Sequence, residues 1–286
     1  MEPQEPTLRE IKCLGEYRIN MSQAPLGIGS FGKVFKAHLS SDQFQFFAIK
    51  QIDLTVYNES DLEKVLPMLF REIDVMTSIS HRNIVELHGG IHTPHNFYFV
   101  LEFCGDGNLR SRQKTISIDE ILICVKSVAQ AMAYFNSNDI IHRDIKPENI
   151  LIHKGEIKIA DMGFARKVDD ANVKNKMTKS IGTPYYMAPE IFYGEKYDGR
   201  CDVWSLGIMF YELVYKKLPW EGSNCFTLFK NISKKDLGFP INKVDPLIKD
   251  LISRMLIKNQ NLRPSFEEIL KHPLFQRVIP NKLPGF

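Results

Sequence analysis

From about residue 17 to residue 50 the pattern of apolar and polar positions is strand-rich. "KVFKAHL" follows a period of two, and "FQFFAIKQI" is β-branched and aromatic, so the stretch predicts strands. Between about Leu62 and Ile79 the spacing turns helical, with Leu66, Leu69, Ile73 and Met76 on one face. Pro67 is awkward inside that stretch and fits better where a helix starts or kinks. "NFYFVLEF" (96–103) predicts a compact apolar strand, and "CGDGN" then breaks the chain. Beyond the break the pattern is helical over 118–137, 200–216, 244–257 and 265–271, with short strands near 150–152 and 157–159. Strands first and helices later predict an α+β fold, with a small β-rich lobe before the break and a larger helical one after it.

Composition changes that picture little. A chain of 286 residues suffices for one large domain or two lobes sharing a core. The net charge of +3, with Lys and Arg spread along the chain, argues against a nucleic-acid partner or a charged membrane surface. No apolar run reaches the roughly 18 residues of a membrane span. The opening "MEPQEPTLRE" is acidic and unlike a secretory signal. Five scattered cysteines form no Cys-x-x-Cys pair and predict reduced thiols, hence a cytoplasmic location with the nucleus as the alternative. On that route the three Asn-x-Ser matches, beginning at Asn20, Asn58 and Asn231, are chance.

The chemistry is carried by four short motifs. "LGIGSFGKV" (26–34) supplies Gly27, Gly29 and Gly32, which let a backbone approach phosphate oxygens because no Cβ intervenes. Val34 after Lys33 departs from the Walker pattern, and a following strand departs from the dinucleotide one, while a plain hairpin turn stays open. "FAIK" (47–50) ends a strand at Lys50, whose half-buried stem requires a partner for its charge; Glu72, on the next helix, is the candidate. "IIHRDIKPENILI" (140–152) crowds Asp144, Lys146 and Asn149 into a loop anchored by apolar flanks. Asp144 can accept a hydroxyl proton, Lys146 can offset phosphoryl charge, and Asn149 can give a neutral oxygen to a divalent metal. Asp161 in "ADMGFAR" (160–166) adds the charged oxygen ligand that Mg²⁺ prefers.

With these landmarks in this order, followed by "APE" at 188–190, "CDVWSLG" at 201–207 and Arg263, the chain resembles the eukaryotic protein kinases from about residue 17 to 275. The resemblance implies a bilobal kinase fold. A leader covers 1–16, the domain 17–275, and a tail 276–286; within the domain the small lobe runs to about 101, the hinge over about 102–107, and the large lobe over 108–275. It implies transfer of the γ-phosphate of Mg-ATP to Ser or Thr hydroxyls of protein substrates, since Lys146 and "GTPYYMAPE" follow the Ser/Thr pattern. In it Lys50, held by Glu72, orients phosphates, Asp144 and Lys146 act at the acceptor, and Asn149 and Asp161 hold the metal. Leu26, Val34, Ala48, Leu101 and Leu151 enclose the adenine, and the backbone from Glu102 to Cys104 meets its edge. Asp202 braces the catalytic loop and Arg263 pairs with Glu190.

Met162 departs from the family's usual phenylalanine. Methionine is apolar and fills irregular gaps, so the expectation is a softer active state, with the site still competent. Arg143 suggests control by phosphate on the activation segment, with Thr178 and Ser180 as candidates, while Lys179 occupies the commonest phosphosite and Thr183 is expected near Asp144. Glu148 and Glu212 match positions that take a substrate arginine in basophilic kinases, with solvated glutamates as the alternative; the third such position is Asn108. Phe164 suggests serine over threonine. The motifs look like those of Unc-51-like and calcium-dependent kinases, but no calcium-binding loop follows the domain. A regulatory partner or region outside this chain fits that picture. The contrasting reading is a pseudokinase scaffold that binds nucleotide or partners without turnover.

Overall fold

The computed structural model describes residues 11–29, 32–167, 185–241, 243–276 and 280–284. The chain divides into two compact units. The first comprises residues up to Ser80 with Val85–Gly105; the second comprises His81–Ile84 with everything from Asp106 onward.

The first unit is an antiparallel sheet with one long helix. Its strands are β1 (Ile11–Leu14), β2 (Tyr17–Asn20), β3 (Gly27–Gly29), β4 (Gly32–Leu39), β5 (Phe46–Asp53), β6 (Leu87–His92) and β7 (Asn96–Glu102). The order is β1-β2-β4-β5-β7-β6, with β3 paired to β4. The alternation seen in the sequence places Ile19, Phe35, Ala37, Phe47, Ile49, Tyr98 and Val100 on one buried face. β1 lies inside the segment expected as a leader: Ile11–Leu14 pairs residue for residue with Tyr17–Asn20, and Leu14 is buried. Four residues are too short to announce a strand by periodicity; the neighbouring edge creates it.

Helix α1 spans Glu59–Thr77 and starts earlier than the apolar spacing suggested. Asn58 caps it, its side chain accepting the Asp61 N–H at 2.9 Å, and Glu59 and Asp61 place negative charge in the first turn. A polar first turn is invisible to hydrophobic periodicity. Pro67 lies within the helix, neither at its start nor ending it, and Leu69 and Met76 form the buried face.

The second unit is mostly helical: α2 (Leu109–Arg112), α3 (Ile118–Ser137), α4 (Pro189–Tyr193), α5 (Arg200–Tyr215), α6 (Cys225–Lys234), α7 (Pro246–Met255), α8 (Phe266–Leu270) and α9 (Pro273–Gln276). A small hairpin, β9 (Ile150–His153) with β10 (Glu156–Ile159), and a two-stranded antiparallel pair, β8 (Ile140–Ile141) with β11 (Arg166–Lys167), accompany them. α3 opens on a capping box, Ser117 with Glu120, and packs against α5 and α8. From Cys201 to Tyr215 every residue of α5 is buried, as expected of a helix without a polar face. Trp204 stacks on Trp220 with ring centroids 5.6 Å apart, fixing the end of this core. In the segment expected as a tail, Leu283 is buried and donates its N–H to the Gly155 carbonyl at 2.8 Å, and Lys282 pairs with Glu156 at 3.0 Å. Among the described residues no helix is long and apolar enough to cross a membrane.

Candidate active site

In the first unit Lys50 sits on β5, opposite Val34 on β4 and Phe99 on β7. Its ammonium lies 3.7 Å from the Glu72 carboxylate of α1, and both side chains are 11% exposed. A pair this dry is held because losing either partner strands a buried charge. Ala48 faces Leu101 across β5 and β7, and the Leu26 N–H donates to the Val34 carbonyl at 2.7 Å. Leu26 itself is exposed, and Val34, Ala48, Leu101, Glu102 and Cys104 are half-buried. The Glu102 N–H is already donated to the Glu86 carbonyl at 2.9 Å. Leu151 belongs to the second unit, on β9, where it pairs with Lys158.

Gly32 has a steric reason to be glycine. Its φ is +147°, and a Cβ there would lie 1.9 Å from the Gln51 carbonyl oxygen. Gly32→Ala is expected to destabilise the first unit by about 1–3 kcal/mol through strain and displacement of β4 from β5. A thermal melt matching that of the unaltered chain would contradict this. Gly27 and Gly29 differ, since among the described residues a Cβ at either would meet nothing within 4 Å beyond its chain neighbours.

In the second unit the loop between β8 and β9 gathers the polar side chains. The Asp144 carboxylate accepts from Lys146 Nζ at 2.7 Å and from Asn149 Nδ2 at 2.8 Å, and Asn149 Nδ2 also reaches the Asp144 backbone carbonyl at 2.9 Å. Asn149 therefore spends its amide N–H groups inside the loop and keeps its carbonyl oxygen for another partner. Its backbone carbonyl accepts the Ala160 N–H at 2.9 Å, tying the loop to the segment that carries Asp161. Arg143 and Asp161 have φ of +68° and +64°, conformations that cost on the order of 1–3 kcal/mol for non-glycine residues and persist only where surroundings enforce them.

For Arg143 the enforcement comes from α5. Asp202, in the first turn of α5, accepts the backbone N–H groups of His142 and Arg143, each at 2.8 Å. Burial pushes this carboxyl above the ordinary aspartate range, against the pull of the His142 and Arg143 N–H groups and the Arg143 charge. His142 Nδ1 accepts the Asp144 N–H at 3.2 Å, so Nε2 carries the ring proton toward the Ala160 carbonyl at 3.3 Å. Arg143 Nη1 reaches the Tyr197 hydroxyl at 3.1 Å. Deeper still, Arg263 grips Glu190 with two bonds of 2.6 and 3.0 Å.

Met162 is 2% exposed in a single 3-10 turn, Met162–Phe164. Met162→Phe adds a rigid ring to this filled position, so turnover, melting temperature or both are expected to change. If both stay the same, Met162 does not soften the active state. Thr178, Ser180 and Thr183 lie outside the described residues, as does the side chain of Phe164.

Of the two glutamates matched to substrate-arginine positions, Glu212 is buried and Glu148 is exposed, and both are engaged by an arginine of the chain itself. Arg110 of α2 donates from Nε to Glu148 and from Nη1 to Glu212, both at 2.8 Å. Asn108 is occupied as the cap of α2, accepting the Ser111 N–H at 3.0 Å. Arg110 had no signal in the sequence, since it is remote along the chain from both glutamates and only the fold unites them.

The domain defined by this braced loop and the Lys–Glu pair matches the family model described as "Protein kinase domain" over residues 21–275. The chain is 36% identical over 265 residues to Aurora kinase of Schizosaccharomyces pombe, covering 90% of this chain and 72% of that protein. It is 34% identical over 277 residues to Aurora kinase A-B of Xenopus laevis, covering 95% of this chain and 64% of that one. Calcium-dependent protein kinase 5 of Plasmodium falciparum is 36% identical over 269 residues, and the match spans 45% of its length. The chain belongs to the protein kinase family, in its serine/threonine class.

Proposed function

We propose that this chain transfers the γ-phosphate of ATP to serine or threonine hydroxyls of proteins, with Asp144 receiving the acceptor proton. The observation that carries this reading is the loop in which Lys146 and Asn149 converge on one Asp144 carboxylate. Such an arrangement fixes the carboxylate's direction before any hydroxyl arrives, and positioning is the larger part of what phosphoryl transfer asks of a protein.

The donor set fits Mg²⁺. Asp161 offers a carboxylate and Asn149 a carbonyl oxygen, both hard ligands, and a Mg²⁺ site needs only one or two protein groups when phosphates supply others. The ion would neutralise phosphate charge there. Lys50, steadied by Glu72, is the cation for the nucleotide's phosphates. The open surroundings of Gly27 and Gly29 among the described residues support a phosphate-facing strand, since those residues leave room for side chains at both positions. Leu26, Val34, Ala48, Leu101 and Leu151 supply apolar surface for the base, with the backbone at Glu102 and Cys104 at its edge. The free thiols of the five cysteines support a cytoplasmic location, with the nucleus as the alternative.

The test is transfer of radiolabelled phosphate to a generic protein substrate, comparing the chain with Asp144→Asn and Asp161→Asn. The expected result is incorporation by the unaltered chain and its near-abolition in both variants. Nucleotide binding without transfer by the unaltered chain would instead establish a scaffold.

A further inference from the structure

Glu148 stands in the same short turn as Asn149, beside the loop that holds Asp144. Glu212 approaches from α5, and its side chain is 8% exposed. The two carboxylates converge on a single guanidinium, that of Arg110, which also donates to Gln113 and to the Tyr186 hydroxyl. Tyr186 in turn donates to the second oxygen of Glu212. Nε, Nη1 and Nη2 of Arg110 are thus all engaged by a ring of four acceptors.

We propose that this cluster is a guanidinium site beside the acceptor loop, filled by the chain's own Arg110, so that arginine near a substrate's acceptor hydroxyl contributes nothing to selection. The inference rests on the transfer reading given above. A pair of carboxylates so placed would otherwise favour a basic peptide. With Arg110 in place both oxygens of Glu212 are used, one Glu148 oxygen is used, and a positive charge faces an incoming one. Burial disfavours the Arg110 charge, yet the bonds from Glu148 and Glu212 outweigh it and hold the guanidinium firmly protonated. The occupant therefore does not leave by losing its proton. A peptide arginine would have to displace it while rebuilding the same bonds, which yields no net gain. Substrate flanks crossing this surface are expected to be neutral, and the enzyme to be indifferent to basic ones.

The test uses the full chain and a serine peptide in which arginine is walked through each flanking position, read as kcat/KM relative to the arginine-free peptide. The unaltered chain is expected to give a ratio near one throughout. Arg110→Gln uncovers Glu148 and Glu212 and is expected to raise the ratio about tenfold at one position, roughly the size of one charge-assisted hydrogen bond. Adding Glu148→Gln should return it toward one. If Arg110→Gln does not fold, Arg110→Lys keeps a charge near Glu212 but cannot span both carboxylates, and should move the ratio in the same direction by less. A strong arginine preference in the unaltered chain, left unchanged by these variants, overturns the proposal. So does a lowered melting temperature with an unchanged ratio, because Arg110 is then a brace alone. Absence of transfer to any peptide overturns the transfer reading and this inference with it.

Discussion

Asp144→Asn is expected to lower kcat by about a thousandfold, within the usual range for removing a positioned acid–base group. The substitution is nearly isosteric, and an amide oxygen can still accept from Lys146 or Asn149, which now bind the carboxylate at 2.7 and 2.8 Å. The amide has no carboxylate to take a hydroxyl proton, so the orientation survives and the chemistry does not. Stability should change little. The Asp144 side chain is 20% and the Lys146 side chain 32% exposed, and ion pairs that reach solvent are worth about 0–1 kcal/mol. The diagnostic pattern is a collapse of kcat with nearly unchanged melting temperature, measured on the same preparation. A variant that keeps most of its turnover would remove Asp144 from the acceptor's chemistry.

Arg263→Ala is expected to do the reverse and strike the fold. Arg263 is 2% exposed, holds Glu190 with two hydrogen bonds, and also donates to the carbonyls of Ile257, Arg200 and Lys258. Its guanidinium carbon lies 5.2 Å from the Trp204 ring centre. Truncation leaves the Glu190 carboxylate, itself 3% exposed, without its counter-charge, and orphans several carbonyls. The cost of breaking such a pair is about 3–5 kcal/mol. For a domain of this size that lowers the melting temperature by on the order of 10 °C. Replacing both partners with apolar residues should cost much less than Arg263→Ala, because no buried charge is then stranded. Thermal denaturation of the single and double variants checks this, and equal losses in the two would show that the charges are not what matters.

The strands within 17–50 and at 96–102, and α3, α5 and α7, were legible from their apolar patterning, whereas β6 and the ten-residue α6 were not anticipated. α2, α4 and α9 were also missed, having four or five residues each, too few for a period to declare itself; α8, equally short, was read within 265–271. α1 was found but started late, since a cap and polar first turn open it. β1 was missed because its partner strand, and no pattern of its own, makes it a strand. In the site, Asp144, Lys146 and Asn149 are neighbours in sequence, so their convergence could be read from spacing. Lys50 and Glu72 were paired by requiring that a half-buried charge find a counter-ion, with the other motifs in support.

Sequence by itself determined the chemical inventory of this kinase: the carboxylates, the lysine, the amide, and the strand-then-helix order that carries them. It did so because those groups come as local strings whose spacing is set by covalent connectivity. The tertiary structure alone decided what each group is committed to. Glu148 and Glu212 read as open acidic positions until the fold brings Arg110 to both, at 2.8 Å each. Partners remote along the chain leave no periodic trace, and a charge's role depends on which partner reaches it first.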